Sequence, residues 1–447
     1  MNAPPSPLQL ALASLPADAS EPIVCQNFIR AALLPSLGFS SAEIIPEYNT
    51  GDGGIADFAA RKNIGNEAFL HTSNNPLLLI EAKKRGFSIA QNTPGYENTV
   101  RQLKSQLLGT NARSAQWGII TNANHIQLFR KHGKVIFPAS LCHDLTLENV
   151  DQVVEEIKYK IENPARALTV TIYNNKGGVG KTTTTVNLAA YLACLGKNVL
   201  VLDFDFNQGD LTRALGKNLT KGVVARALQS RESALKPAIT TCAIRIKTQT
   251  KERVIRFDVI PADAEMVNMD EVKLQQQSIN EDALHKKLDF ARLEYDYIFI
   301  DASPNWRLIS KLAVYAADVI LIPTKHNGLA SLENAVTAIN QFIPEMQKLK
   351  KDGTPVALPI FFNGETITDP QLRKVQDEIQ RMISKDRQLL LPYFFPRWTK
   401  ANQNLTIYHL PNYAVIADGH FDHVPAVCKN KTAHECYKSL AKEYFLQ

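Results

Sequence analysis

From residue 168 onward, short β-branched and apolar runs alternate with longer stretches of helical periodicity. The runs fall at residues 168–173, 198–202, 257–260, 297–300, 319–323 and 356–362. Runs of this length that do not alternate with polar residues predict strands buried on both faces, and the helical stretches between them predict crossovers. The expected architecture is α/β, a mostly parallel sheet covered by helices on both faces. Before residue 149 the pattern differs. Strands are predicted at 55–61, 77–82, 117–121 and 126–129, and helices at 26–37 and 98–108, an α+β or smaller α/β unit. Between the two, residues 149–165 place Val150, Val153, Val154, Ile157 and Ile161 on one helical stripe and end at Asn163-Pro164, where a proline stops the helix. The expected organisation is a flexible N-terminus over 1–20, a first domain over 21–148, a helical linker over 149–166 and a second domain over 167–447.

Composition narrows the class. The 447 residues are 45% apolar and 21% charged, and no apolar run approaches the roughly 18 residues that cross a bilayer. No secretory signal is visible before residue 17, and the six cysteines are widely spaced without a CxxC pair, so reduced thiols and a cytoplasmic location are expected. The cysteines and histidines near the C-terminus (His420, His423, Cys428, His434, Cys436) match no zinc spacing. A formal charge of +6 is compatible with a nucleic-acid partner without demanding one.

The richest chemistry follows the first strand of the second domain. Asn174-Asn175-Lys176-Gly177-Gly178-Val179-Gly180-Lys181-Thr182-Thr183 lies between a strand and a helix. A glycine-rich turn there lets backbone N–H groups wrap phosphates, and the helix N-terminus adds partial positive charge. Lys181 is expected on the β and γ phosphates and the Thr182 hydroxyl on magnesium. The strand 297–300 ends in Asp301, a carboxylate placed to hold magnesium through water.

The segment KGGVGKTT, residues 176–183, resembles the deviant Walker A motif of the ParA/MinD/Soj ATPases. That resemblance implies ATP and magnesium as cofactors, with nucleotide contacts from Gly177, Gly178, Val179, Gly180, Lys181, Thr182 and Thr183. It implies that Lys176 reaches the partner's nucleotide in an ATP-driven homodimer. In Asp203-Phe204-Asp205, similar to the family's second acidic motif, it implies that Asp205 orients the attacking water and Asp203 supports the magnesium shell or the loop. The following Phe206-Asn207-Gln208-Gly209-Asp210 is one residue longer than the family's usual continuation, which leaves the hydrolysis rate open. Asn363 and Pro396 are carried over as adenine contacts. The resemblance also implies a protein partner that stimulates hydrolysis and nonspecific DNA binding in the nucleoid. The helix near 370–385, with Arg373, Lys374, Arg381 and Lys385, is one candidate for the DNA contact.

In the first domain, Gly51-Asp52-Gly53-Gly54 precedes Asp57, and the apolar run 77–80 leads into Glu81-Ala82-Lys83. Alternation puts Glu81 and Lys83 on one side of their strand. Two carboxylates and a lysine can hold a second Mg2+ or Mn2+ and activate water on a phosphodiester. The stretch resembles the restriction-endonuclease-like PD-(D/E)xK domain of type I restriction R subunits. Gln102 to Gln106 is similar to that domain's Gln-x-x-x-Tyr helix, with Gln106 in place of tyrosine. Two readings follow: a DNA-associated ATPase switch with a fused nuclease, suited to defence against foreign DNA or maintenance of a mobile element, or a partition or positioning ATPase whose first domain binds DNA or protein without cutting.

Overall fold

The structure is a computed structural model that describes residues 4–65, 67–247, 252–267, 273, 279–325, 328–364, 368–394, 408–411 and 422–447. Its contacts divide the chain into two units. One is Met1–Pro164 with Lys351–Gly353 and Gln447; the other is Ala165–Lys350 with Thr354–Leu446. The break after Pro164 falls where the predicted helix of residues 149–165 ends.

The first unit is built on a mixed sheet. Strands β1 (Ile44–Asn49), β2 (Ile55–Ala60) and β3 (Leu78–Ala82) form an antiparallel meander, and β4 (Trp117–Thr121) lies parallel to β3. Parallel pairing needs a crossover, supplied by the helix Pro94–Leu108, which starts with proline in its first turn and is capped by the Thr93 hydroxyl on the Tyr96 N–H. This helix sits close because β4 carries Gly118: a Cβ there would stand 2.9 Å from Leu103 and Leu107 side-chain carbons. Strands β5 (His125–His132), β6 (Val135–Pro138) and β7 (His143–Asp144) continue the sheet in antiparallel fashion.

Two expectations about this unit fail. Residues within the supposed flexible N-terminus form the helix Pro7–Ser14, closed by a reciprocal Ser6–Gln9 capping box, and bury Leu8, Leu12 and Leu15. The 149–166 segment is not a linker. Its helix, Val150–Glu162, buries all five predicted apolar residues in the same core cluster as Leu8, Phe28 and Leu128. An apolar stripe of that width is stable only against a partner surface, and here the partner is the first unit's own core.

The second unit holds a seven-stranded sheet in the order β10 (Thr240–Lys247), β11 (Glu252–Ile260), β9 (Val199–Phe204), β12 (Tyr297–Ala302), β8 (Leu168–Ile172), β13 (Val319–Leu321) and β15 (Val356–Ala357). Every neighbouring pair is parallel except β10 with β11. Alternate residues of β12 serve opposite faces. Ile298 and Ile300 join the cluster containing Leu312 and Val314, while Tyr297 and Phe299 meet the edge of Phe445. Two predicted strands are split between sheets. The 319–323 run breaks at Ile322, and the 356–362 run breaks at Leu358-Pro359-Ile360. Their second halves, β14 (Pro323–Thr324) and β16 (Phe361–Gly364), pair in a separate parallel sheet with β17 (Tyr408–Pro411). Proline has no N–H for a ladder, so Pro323 and Pro359 mark where each chain leaves the main sheet. No helix among the described residues is long and apolar enough to cross a membrane.

Candidate functional site

The phosphate-cradle sequence leaves β8, which lies between β12 and β13, and enters the helix Lys181–Cys194. Gly178 and Gly180 adopt φ of 72° and 84°, the left-handed region that side chains disfavour. Gly180 is constrained twice, because a Cβ there would stand 2.0 Å from the Asn363 amide nitrogen. Lys176, Gly177 and Gly178 are exposed, whereas Val179 and Lys181 are buried. Thr182 and Thr183 sit half-buried in the first turn of the helix.

The Lys181 ammonium donates to the Lys176 carbonyl at 3.2 Å. Burial holds its pKa below the ordinary lysine range, opposed by the Asp301 and Asp205 carboxylates. Asp301 ends β12 beside Ile172 of β8 and Asp203 of β9. Its Oδ2 accepts the Thr182 hydroxyl at 2.6 Å, and its buried Oδ1 has no hydrogen-bond partner. Burial, then the neighbouring Asp203, push this carboxyl well above the usual range. An unpaired buried carboxylate oxygen beside a threonine hydroxyl is a donor set that fits a hard divalent cation.

Of the two roles expected of Asp203, the magnesium shell or the loop, its bonds serve the loop. Its Oδ2 accepts both the Thr212 N–H at 2.8 Å and the Thr212 hydroxyl at 2.6 Å, and its Oδ1 accepts the Asp205 N–H at 3.3 Å. Both oxygens are committed to protein donors, so Asp203 braces the loop after β9. Burial still raises its pKa to about 6. Asp205 is half-buried, accepts the Ser303 hydroxyl at 3.1 Å, and closes the longer loop by accepting the Gln208 and Gly209 N–H groups on its carbonyl.

Asn363 lies at the cradle, but its amide nitrogen is turned to the protein, donating to the Val179 carbonyl at 3.0 Å and the Thr184 hydroxyl at 3.2 Å. Through this nitrogen Asn363 braces the cradle. Pro396 lies outside the described residues. The helix Asp369–Lys385 exposes Arg373, Lys374, Arg381 and Lys385 while Ile379, Met382 and Ile383 are buried, and Arg381 pairs with Glu378. Sequence reading missed Asn174, Thr212 and Ser303. Asn174 stands next to the cradle motif and Ser303 two residues after Asp301; Thr212 carries no local signal.

In the first unit, Asp57, Glu81, Lys83 and Gln106 come together. Glu81 ends β3 fully buried, pairs with Lys83, and accepts the Gln106 amide at 2.6 Å. Asp57 accepts the Ala82 N–H at 2.6 Å. Burial raises the pKa of both carboxyls, opposed at Glu81 by the Lys83 and Gln106 hydrogen bonds. Gln106 also donates to the Ile55 carbonyl, and its buried Oε1 has no partner. Among the described residues, no group of three or more His, Cys, Asp or Glu side chains is arranged to hold a metal ion.

Comparison with known proteins bears on the second unit. A family model described as an AAA domain matches residues 167–354. The sporulation initiation inhibitor protein Soj of Bacillus subtilis is 35% identical over 179 residues, covering 39% of this chain and 66% of Soj. The chain thus spans just under two thirds of that relative's length. The chromosome partitioning protein ParA of Myxococcus xanthus is 31% identical over 225 residues, 48% of this chain and 72% of that protein. Among solved structures, apo McdA of Cyanothece aligns with a TM-score of 0.47 at 18% identity, over 62% of this chain and 99% of McdA.

Proposed function

The chain belongs to the ParA family, and from that premise we propose that its second unit binds ATP and magnesium, hydrolyses ATP slowly, dimerises when ATP is bound and associates with DNA. The observation that carries this reading is the meeting of Lys181, Thr182 and the unpaired Oδ1 of Asp301 at one cradle.

Phosphoryl transfer to water requires positioning and charge neutralisation more than covalent chemistry. The N–H groups of residues 177–183 hold the phosphates. Lys181 exchanges its bond to the Lys176 carbonyl for the β and γ phosphate oxygens. Thr182 and Asp301 would hold magnesium, which would supply charge neutralisation to the phosphates. Asp205, fixed by Ser303, orients the water that attacks the γ-phosphorus as ADP leaves. Exposed Lys176 reaches the partner's nucleotide, which makes dimerisation depend on ATP. The exposed Arg and Lys of the Asp369–Lys385 helix supply a nonspecific phosphate-backbone contact, a term that weakens steeply with salt. Such a switch works in the cytoplasm on the nucleoid, with a protein partner that stimulates hydrolysis. The reading is tested by equilibrium binding of a fluorescent ATP analogue to the parent and to Lys181→Ala; equal affinity would remove it.

A second reading concerns the first unit and rests on the convergence of Asp57, Glu81, Lys83 and Gln106. In it the unit is a nuclease-like module that takes a second Mg2+ or Mn2+ at Asp57 and Glu81 and serves in defence against foreign DNA or maintenance of a mobile element. Its counterpart is a partition or positioning ATPase whose first unit binds without cutting. Plasmid and linear DNA incubated with magnesium or manganese, with and without ATP, beside Glu81→Ala, separates them: cleavage lost in the variant favours the nuclease, and intact DNA throughout favours the adaptor.

A further inference from the structure

The residue that opens the phosphate cradle has its hydrogen-bonding capacity spread over two parts of the second unit. Asn174 is fully buried. Its Oδ1 accepts the Lys176 N–H at 3.0 Å. Its Nδ2 donates to the Pro323 carbonyl at 2.9 Å and the Ser331 carbonyl at 3.0 Å. Only a carboxamide presents one acceptor and two donors in this geometry. Aspartate would turn an oxygen on two carbonyls, and leucine would leave three buried backbone groups unpaired.

The anchor on the far side is itself fixed. Pro323 opens β14, which pairs with β16, and the Thr324 hydroxyl donates to the Phe361 carbonyl at 2.9 Å. Asn363, from β16, reaches the other end of the cradle at Val179 and Gly180. The same small sheet therefore holds the cradle at both ends. At the Lys176 end, the main chain is gripped on its N–H by Asn174 and on its carbonyl by Lys181, while the side chain stands exposed.

We propose that Asn174 is a positioning residue for Lys176, fixing from the β14 corner the direction in which that exposed lysine leaves the cradle. The inference rests on the reading of Lys176 as the residue that reaches a partner's nucleotide. Asn174 touches no phosphate; it acts through the Lys176 main chain. Losing the grip frees the two dihedrals that aim Lys176, whereas Lys181 and the N–H groups of residues 178–183 keep their place at the helix start.

The test compares the parent with Asn174→Ala and Lys176→Ala, all full-length, for Mg-ATP affinity of the monomer, ATP-dependent dimerisation by analytical ultracentrifugation, and melting temperature. The expected result is a split. Asn174→Ala weakens ATP-dependent dimerisation by about tenfold or more, the equivalent of one lost hydrogen bond to a charged-site backbone, and changes monomer affinity by less than about threefold. A matching fall in both would overturn the inference, because the whole cradle would then have loosened. Unchanged dimerisation would overturn it as well. If Asn174→Ala does not fold, Asn174→Ser, which retains a hydroxyl at the buried position, is read by the same split. Should Lys176→Ala dimerise on ATP as the parent does, the reading of Lys176 falls and takes this inference with it; failure at Asn174 alone leaves that reading standing.

Discussion

Two buried carboxylates occupy matching positions in the two units. Asp301 ends the central strand β12 beside Asp203 of the next strand and near Lys181; Glu81 ends β3 beside β2, which carries Asp57, and pairs with Lys83. Their partners differ. One oxygen of Asp301 is bonded to Thr182 and the other to nothing, whereas both oxygens of Glu81 are taken, one by Lys83 and one by Gln106. A buried charge without a partner is costly, so the Asp301 arrangement favours a cation from outside, while the charge on Glu81 is balanced from within. The difference explains why the cradle reads as a ligand site on geometry alone and the first unit's cluster reads equally as a site or as a satisfied core.

The sharpest break of that comparison is at the lysines. Lys181→Ala should lower ATP affinity by about a hundredfold or more, since it removes a charge-assisted contact to phosphate, measured by calorimetric titration. Lys83→Ala should leave ATP affinity unchanged. Next, magnesium should bind with release of protons. Burial raises the pKa of the Asp301 carboxyl, so a proton competes with the cation there; affinity should fall as pH falls, and Asp301→Asn should abolish both the binding and the proton release. Calorimetry in buffers of different ionisation enthalpy reads this directly.

The same substitution should stabilise the fold. A carboxyl whose folded pKa is raised contributes stability that is lost as pH rises through that value, so at neutral pH the buried Asp301 carboxyl is a burden. Asp301→Asn should gain on the order of 1–2 kcal/mol in urea unfolding at neutral pH, and the gain should shrink in acid. Glu81→Gln should gain less, because it also breaks the Lys83 pair; an equal gain would erase the contrast between the two units. The smallest effect expected is at the first unit's N-terminal helix, where Ser6→Ala should cost about 1 kcal/mol by loss of its cap, and a change of zero would mean that this helix carries no stability.

How much of this could be read beforehand follows the range of the interactions. The cradle was legible because strand, glycines, Lys-Thr and helix are contiguous, and each has a local conformational cause. Asp301 was legible as the end of an apolar strand. The separate duties of Asp203 and Asp301 were not, since they depend on Thr212 and Thr182 arriving from other elements. Gln106 looked like a departure from a motif, and only its bond to Glu81 gives it a place.

The sequence alone determined the alternation that makes a parallel sheet, the helix stop at Pro164, the cradle at residues 176–183 and the apolar stripe of residues 150–161. These are encoded over a few turns or strands, where periodicity, glycine and proline act directly on the backbone. Tertiary structure alone decided that the 150–162 helix and the Pro7–Ser14 helix belong to the first unit's core, and that two apolar runs divide between sheets at their prolines. It also decided that Asn174 and Asn363 hold the cradle from both ends. Those outcomes turn on which distant surface buries an apolar stripe and which distant carbonyl satisfies a buried donor, and neither choice is written in the local pattern.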